Sequence, residues 1–549
     1  MIWTVQRRLR SWGRVNQVLT IAMRYGFRQA RDLLHTARLG RRRSVPVDAQ
    51  ADPKLRGKSA GERLRLMLQE LGPTYVKLGQ LLSTRRDLVP AWAADELAKL
   101  QDQVTPLPLG TVRQVVEAEL GAPLEQHFTD FSAEPLGSAS LGQVHRAVTT
   151  DGHKVAVKVQ RPGIERVIED DLSVIGDLVG LLEKHRVLTD KINLRQVYEE
   201  VADQLRDELV YTIEARNAER AAQTVEPEEG VRIPKVYWPL TTSRVLCTEL
   251  FEAAKLSDPD QPPDALRVDL SQRLVRFALR QILFDGFFHA DLHAGNLMVF
   301  PDGKLGLIDW GQVGLLGRRM RDSLDEIFVG IATHDTERLV DEIVAMGLTD
   351  DNADLEAFRY DLTRALDRYL HLSRRDYPLG AVLARIMDLS YVHHIALPSE
   401  LPMLVKVLGA VEGTCLQLNP DFDLRSELEP LVRRLIGRQF QPDQIARSTL
   451  ANARHLSRLT QALPRQLANL FERVDAGTLV VKVDTDLDDP GRYLVHMVRS
   501  HSVATVACGL MIAGALALGT WPLAGQITFL AGVLAGLGLL LSVIRRPQP

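Results

Sequence analysis

Asp291 and Asn296 share the segment His289-Ala290-Asp291-Leu292-His293-Ala294-Gly295-Asn296-Leu297-Met298, and a second acid, Asp309, follows in Leu307-Ile308-Asp309-Trp310-Gly311. A carboxylate beside a reacting hydroxyl can accept its proton or orient a water. An Asn oxygen and an Asp oxygen supply hard ligands for magnesium. Phosphoryl transfer from a nucleotide needs all of these parts, because its transition state is stabilised mainly by positioning and by opposing charge. Between the two segments, Asp302-Gly303 is a hairpin-turn signal that would aim both at one point. A competing reading takes His289 and His293, four apart, as a metal pair on a helix. The HExxH glutamate is absent, and Gly295 weakens a helix there.

Upstream, Lys154-Val155-Ala156-Val157-Lys158-Val159 alternates like a strand and follows the turn signal Asp151-Gly152. A strand lysine such as Lys158 can pair with nucleotide phosphates when a helix carboxylate orients it. Glu214, in Tyr211-Thr212-Ile213-Glu214-Ala215-Arg216-Asn217, is the candidate partner, with Glu208 on the same predicted helix. In this order Lys158, Glu214, Asp291, Asn296 and Asp309 make a protein-kinase-like site for ATP and Mg2+. The usual GxGxxG loop is missing. Its place holds Gly137-Ser138-Ala139-Ser140, small residues that still permit close backbone approach to phosphates. Glu249 and Phe251, at the end of the predicted strand Val245 to Leu250, complete the nucleotide-contacting set.

Ahead of all these lies Leu71-Gly72-Pro73-Thr74-Tyr75-Val76-Lys77-Leu78-Gly79-Gln80-Leu81-Leu82-Ser83-Thr84-Arg85. This block resembles the KxGQ motif of the UbiB/AarF family of atypical kinases, and the resemblance covers about Gly61 to Asp423. Gly137 to Ser140 resembles the family's alanine-rich loop, although only Ala139 is alanine. Glu208 matches the first acid of its ExD motif, while Val210 stands where the motif has Asp. Leu292 and Arg86 each replace a proline of the family pattern. The resemblance implies a KxGQ helix packed over the nucleotide cleft, with Lys77 meeting Glu208 and Gln80 facing the active site as a regulatory lid. It also implies support of isoprenoid-quinone biosynthesis.

The elements that must position these residues follow from periodicity. Gly61 to Leu71, Ile168 to Lys184, Leu194 to Arg220 and Arg273 to Phe288 have helical spacing, and helical periodicity dominates from Arg319 to about Arg473. The predicted fold is α+β: a bilobal kinase-like fold with a helical N-terminal extension and a C-terminal two-helix transmembrane hairpin. Five segments result: a basic tail and linker (1–54), the KxGQ extension (55–110), the N-lobe (111–252), a helical C-lobe (253–480) and a membrane hairpin (481–549). The hairpin rests on two uncharged runs, Ser502 to Thr520 and Gln526 to Ile544, joined by Trp521-Pro522-Leu523-Ala524-Gly525. Arg492, Arg499, Arg545 and Arg546 flank it, which keeps both ends and the kinase-like domain on the cytoplasmic side of the cell (inner) membrane. Arg7, Arg8, Arg10, Arg14 and Arg24 make the N-terminus either a lipid-touching basic helix or a solvated tail.

With a net charge of -3, the chain does not read as a nucleic-acid binder dominated by phosphate contacts. Three dispersed cysteines exclude a disulfide framework and indicate a reducing compartment. The expected function is a membrane-anchored ATPase or atypical kinase acting on very apolar precursors. Its expected partners are membrane lipid, isoprenoid-quinone precursors and quinone-biosynthesis proteins, and a homodimer is compatible with the sequence. Two alternatives stand beside it. His-x-Asp-Leu-His-x-Gly-Asn also resembles aminoglycoside and choline kinases, which lack the Lys77 to Gln80 block, and an ATP-binding pseudokinase scaffold would use the same pocket without turnover.

Overall fold

Ser59 and Glu62 cap each other's backbone reciprocally and start helix α1 (Ala60–Leu71). It ends at Gly72, whose φ of 109° only glycine adopts readily, and Pro73 then opens helix α2 (Pro73–Thr84) at the position where a missing N–H costs nothing. The computed structural model describes residues 14–27 and 55–439, apart from 16, 19, 56, 86–88, 101–103, 185–193, 259–262, 334, 350–352, 372–378 and 399. The expected transmembrane hairpin lies outside the described residues. α1, α2 and α3 (Ala91–Leu97) pack on one another. Close approach is possible because a Cβ on Gly79 would lie 2.8 Å from the Leu68 side chain.

Part of the expected basic tail belongs to this layer. Val18 and Ile21 are buried with Leu68, Leu71, Tyr75 and Val76. Arg14 reaches the buried Asp171 carboxylate at 2.6 Å and the Leu71 carbonyl at 2.7 Å, and Arg24 pairs with Glu70 at 2.7 Å. Arg14 is therefore spent on a buried carboxylate, which corrects its reading as lipid-facing or solvated charge, while the Arg24–Glu70 pair stays at the surface.

The N-lobe sheet runs β1 (Phe128–Ser138), β2 (Gly142–Thr149), β3 (Lys154–Gln160) and, beyond β3, β5 (Val245–Glu249), all antiparallel. The β2–β3 turn uses Gly152 at φ 83°, as Asp151-Gly152 predicts. Along β3 the two-residue period puts Val155, Val157 and Val159 on the core face against Val112 and Val116 of α4 (Leu109–Leu120). Lys158 is left on the opposite face.

Three helices follow: α5 (Ile164–Lys184), α6 (Leu194–Asp207) and α7 (Tyr211–Thr224). The single helix expected from Leu194 to Arg220 is broken at Glu208–Val210. A continuous helix would turn residues six apart by about 600°, leaving them on different faces, and the break lets Glu208 and Glu214 both reach the cleft. Val210 is the N-cap of α7 and makes no side-chain cap bond, so a capping function suited to Asp is absent there.

A second sheet, ordered β4 (Val231–Arg232), β9 (Leu305–Leu307), β8 (Leu297–Val299) and β6 (Ala254–Lys255), underlies the cleft. The β8–β9 turn uses Gly303 at φ 78°. The helix expected from Arg273 to Phe288 is instead α8 (Asp264–Arg280), a five-residue wide turn Gln281–Asp285 and strand β7 (Phe287–His289). Gly286, at φ 62°, reverses the chain. β7 pairs with β10 (Val313–Leu315).

The C-lobe core is built by α9 (Arg318–Thr333), α10 (Thr336–Met346), α11 (Leu355–His371), α12 (Leu379–Val392), α13 (Glu400–Leu418) and α14 (Leu424–Gln439). Among the described residues only α13 is long and apolar enough to cross a membrane, and half of its apolar window is buried here against the core.

Candidate active site

Lys158, in mid-strand on β3, faces α7. Its Nζ lies 2.7 Å from Glu214 Oε2 and 3.6 Å from Asp309 Oδ2, and sits over the Tyr211 ring at 5.2 Å. The strand, the helix after the break and the metal-ligand candidate thus meet at one ammonium. Burial alone would depress the Lys158 pKa, but the Asp309 and Glu214 carboxylates outweigh it and hold it above its ordinary value. Burial pushes the Glu214 carboxyl up to about 7; Lys158 opposes this and Asp309 reinforces it. Asp309 is held below its ordinary value chiefly by Lys158, with burial opposing.

Asp309 has φ 63°, the left-handed region. Asp tolerates it because its short side chain bonds locally, and here Oδ1 accepts from the Gly311 N–H at 3.2 Å. The other oxygen thereby turns to the cleft. Trp310 goes the opposite way: fully buried, it packs edge-on against His289 with ring centres 4.7 Å apart. Its carbonyl accepts from Asn217 Nδ2 at 3.1 Å, which ties this loop to α7.

In the Asp291 loop, the Asn296 amide nitrogen donates to the Asp291 carbonyl at 3.0 Å. This leaves Oδ1 as the acceptor end of the amide, the end a magnesium ion would take. His289 accepts the Asp291 N–H at Nδ1, and His293 accepts the Gly295 N–H at its own Nδ1. The two rings serve different loop bonds and do not converge on a metal.

Two side chains touch the Asp291 carboxylate: His293 Nε2 at 3.5 Å from Oδ2 and the Lys406 ammonium, from α13, with Nζ at 2.8 Å from Oδ1. Burial raises the Asp291 pKa, but His293 and Lys406 more than offset it and keep the group well below the usual carboxylate range. A cavity of about 760 Å³ opens onto Asp291, Asn296, Asp309, Lys77, Gln80 and Lys406. A half-exposed Asp309 carboxylate and the Asn296 oxygen on its wall fit a magnesium ion that keeps its remaining ligands from phosphate and water.

α2 forms part of the cavity wall. Lys77 Nζ meets Glu208 Oε2 at 3.1 Å, as the family resemblance implies. Gln80 lines the cavity, but its amide nitrogen donates sideways to the Leu100 carbonyl at 3.2 Å. Of the loop expected at Gly137 to Ser140, Gly137 and Ser138 close strand β1, and Ala139 and Ser140 enter the tight turn to β2. The Ala139 N–H donates to the Gly142 carbonyl at 2.8 Å, and Arg161 clamps the turn from outside through the Ala139 carbonyl and the Ser138 hydroxyl.

The side chains of Glu249 and Phe251 take partners of their own. Glu249 accepts from Arg232 at 2.7 Å, and Phe251 is buried with Met298 and Phe300. With these side chains so engaged, the main chain at the end of β5 is what they leave for a nucleotide to contact. Sequence reasoning missed Lys406 and also Gln312, which bonds to both Glu208 and Lys406. Neither belongs to a local motif, and only the packing of α13 against α2 and β10 brings Lys406 to the site.

Residues 99–343 match the ABC1 atypical kinase-like domain, and residues 362–423 match the UbiB helical domain. A protein of Marinobacter nauticus described as a probable protein kinase UbiB is 32% identical over 86% of this chain and 87% of its own. An uncharacterized protein of Synechocystis is 30% identical over 82% of this chain and 79% of its own. Among solved structures, the Rv3197–erythromycin complex of Mycobacterium tuberculosis is similar with a TM-score of 0.47 and 24% identity, covering 69% of this chain and 95% of that one.

Proposed function

Since the chain belongs to the ABC1/UbiB family of atypical kinase-like proteins, we propose that it is an ATP- and magnesium-dependent ATPase or atypical kinase. The observation that carries this reading is the convergence of Lys158, Glu214 and Asp309 beside a cavity that also exposes Asp291 and Asn296. Glu214 fixes the Lys158 ammonium so that it meets phosphate oxygens without a rotamer search. Asn296 and Asp309 would hold magnesium, which supplies neutralisation of phosphate charge when bound. Asp291, kept ionised beside the Lys406 ammonium, orients the attacking hydroxyl or water.

With α2 forming part of this cavity wall, entry of an extended peptide substrate is disfavoured, and a small or lipidic acceptor is the better match. We assign the chain to isoprenoid-quinone biosynthesis or the handling of its lipid precursors, at the cytoplasmic face of the inner membrane and anchored by the hairpin of residues 502–544. Quinone-biosynthesis proteins and a second copy of the chain are the partners this reading suggests. The test is magnesium-dependent ATP hydrolysis by the full chain in liposomes, with and without quinone-precursor mimics. Lipid-stimulated turnover supports it; tight nucleotide binding without turnover under any condition replaces it with a scaffold.

A further inference from the structure

Lys406 lies on α13, outside the residues that match the kinase-like domain and inside those that match the helical domain. Its Nζ is nonetheless 2.8 Å from Oδ1 of Asp291 and 3.2 Å from Oε1 of Gln312. Gln312 follows Asp309 by three positions, and its backbone carbonyl accepts from the Ala290 N–H at 2.9 Å, joining the two loops of the site. On its other side the Gln312 amide nitrogen donates to Glu208 Oε1 at 3.0 Å, and Glu208 Oε2 takes Lys77 at 3.1 Å. Glu208 is nearly buried, so each of its oxygens meets a donor in a poorly hydrated setting.

The Gln312 amide fits this chain in one orientation only. A flip would place its oxygen against the Glu208 carboxylate and its NH2 against the Lys406 ammonium, losing both bonds and facing like with like. An ordinary charge-compensating lysine would explain Lys406 beside Asp291. It would not explain why that lysine also holds the acceptor end of an amide whose donor end holds the lid's acid.

We propose that Lys406 is a positioning residue for Asp291, and that Gln312 and Glu208 couple it to Lys77, so that the catalytic acid and the α2 lid are set together by the helical domain. This rests on the reading of Asp291 as the group that orients the acceptor. Lys406 holds one carboxylate oxygen and leaves the group aimed. The chain Lys77–Glu208–Gln312–Lys406 then transmits displacement of the lid to that acid, or of the acid to the lid.

The test compares the full chain in lipid with Lys406→Met, Lys406→Arg, Gln312→Leu and the double variant Lys406→Met/Gln312→Leu. Amide hydrogen exchange is read over Pro73–Thr84, with Leu109–Leu120 as a reference helix off the relay. Lys406→Met and Gln312→Leu should each speed lid exchange about three- to ten-fold, the double variant no more than either alone, and Lys406→Arg less than two-fold. Unchanged lid exchange in both single variants, multiplicative effects in the double variant, or an equal rise in the reference helix would each overturn the coupling.

In parallel, Lys406→Met should lower kcat for magnesium-dependent ATP hydrolysis about ten-fold or more with the nucleotide Kd within three-fold. An unchanged kcat overturns the positioning of Asp291. If the parent chain hydrolyses no ATP, the proposed function fails, while the exchange measurement still decides the relay.

Discussion

Asp309 combines two properties that a substitution can separate: a left-handed backbone and a charged oxygen facing the cleft. Asn keeps the first, since it also tolerates positive φ, and removes the second. Asp309→Asn is therefore expected to fold with a melting temperature close to the parent's and to lose thermal stabilisation by Mg-ATP; full retention of that stabilisation would remove Asp309 from the metal site. A second residue-scale prediction concerns His145, which is fully buried. Its Nδ1 donates to the Ser132 carbonyl at 2.9 Å and its Nε2 accepts from Gln143 at 2.7 Å, a pairing that requires the neutral ring. Burial, partly opposed by the Ser132 bond, depresses its pKa. The unfolded chain then binds the extra proton as pH falls below about 6.5, so stability is lost in that direction. Denaturation of the parent and His145→Phe between pH 7 and 5 should give a shallower decline for the variant; parallel slopes would contradict the assignment. Residues within one contiguous loop, such as Asp291 and Asn296, were legible because spacing alone places them together. Lys406 was not, because a helix lysine amid apolar residues carries no signal until its helix is docked. For Glu249 and Phe251 the position at a strand end was readable, but the side-chain partners, Arg232 for one and Met298 with Phe300 for the other, were not.

At the scale of elements, the β1–β2 turn depends on Gly142. A Cβ there would press on the Tyr211 hydroxyl and lie 2.6 Å from the Val159 carbonyl. Gly142→Ala should cost about 1–3 kcal/mol of unfolding free energy and weaken nucleotide binding, because Tyr211 lies under Lys158; urea denaturation and nucleotide titration check both. The N-terminal segment makes a sharper case. Asp171 is only 1% exposed and is held by Arg14, so Arg14→Ala strands a buried carboxylate at a cost of about 3 kcal/mol. A loss below 1 kcal/mol in urea denaturation would show that this segment does not brace α1, α2 and α5. Helical spacing made α1 readable in advance, and strand alternation made β3 so. The break at Glu208–Val210 was not, since Leu209 continues the apolar pattern and the turn exists to satisfy contacts from β3, including Gln160 Nε2 to the Leu209 carbonyl at 2.7 Å.

For the whole molecule, the kinase-like lobes and the membrane anchor are separable expectations. Truncation before Ser502 should release the chain from liposomes at high salt, as measured by flotation, while leaving Mg-ATP stabilisation intact. A truncated chain that still floats fully would shift the anchor to the N-terminal arginines left over from the docked segment.

The pairing of Asp291 with a lysine on α13 also has a temporal side. Gln312 and Lys406 are 94 positions apart, which at about 5–20 residues per second is roughly 5–20 s of ribosome time. Throughout that interval the nascent chain carries the nucleotide loops without the lysine that meets their acid. The order of synthesis therefore delays completion of the site until the helical domain has been made, and a chain stalled short of α13 would emerge with its phosphate machinery unfinished.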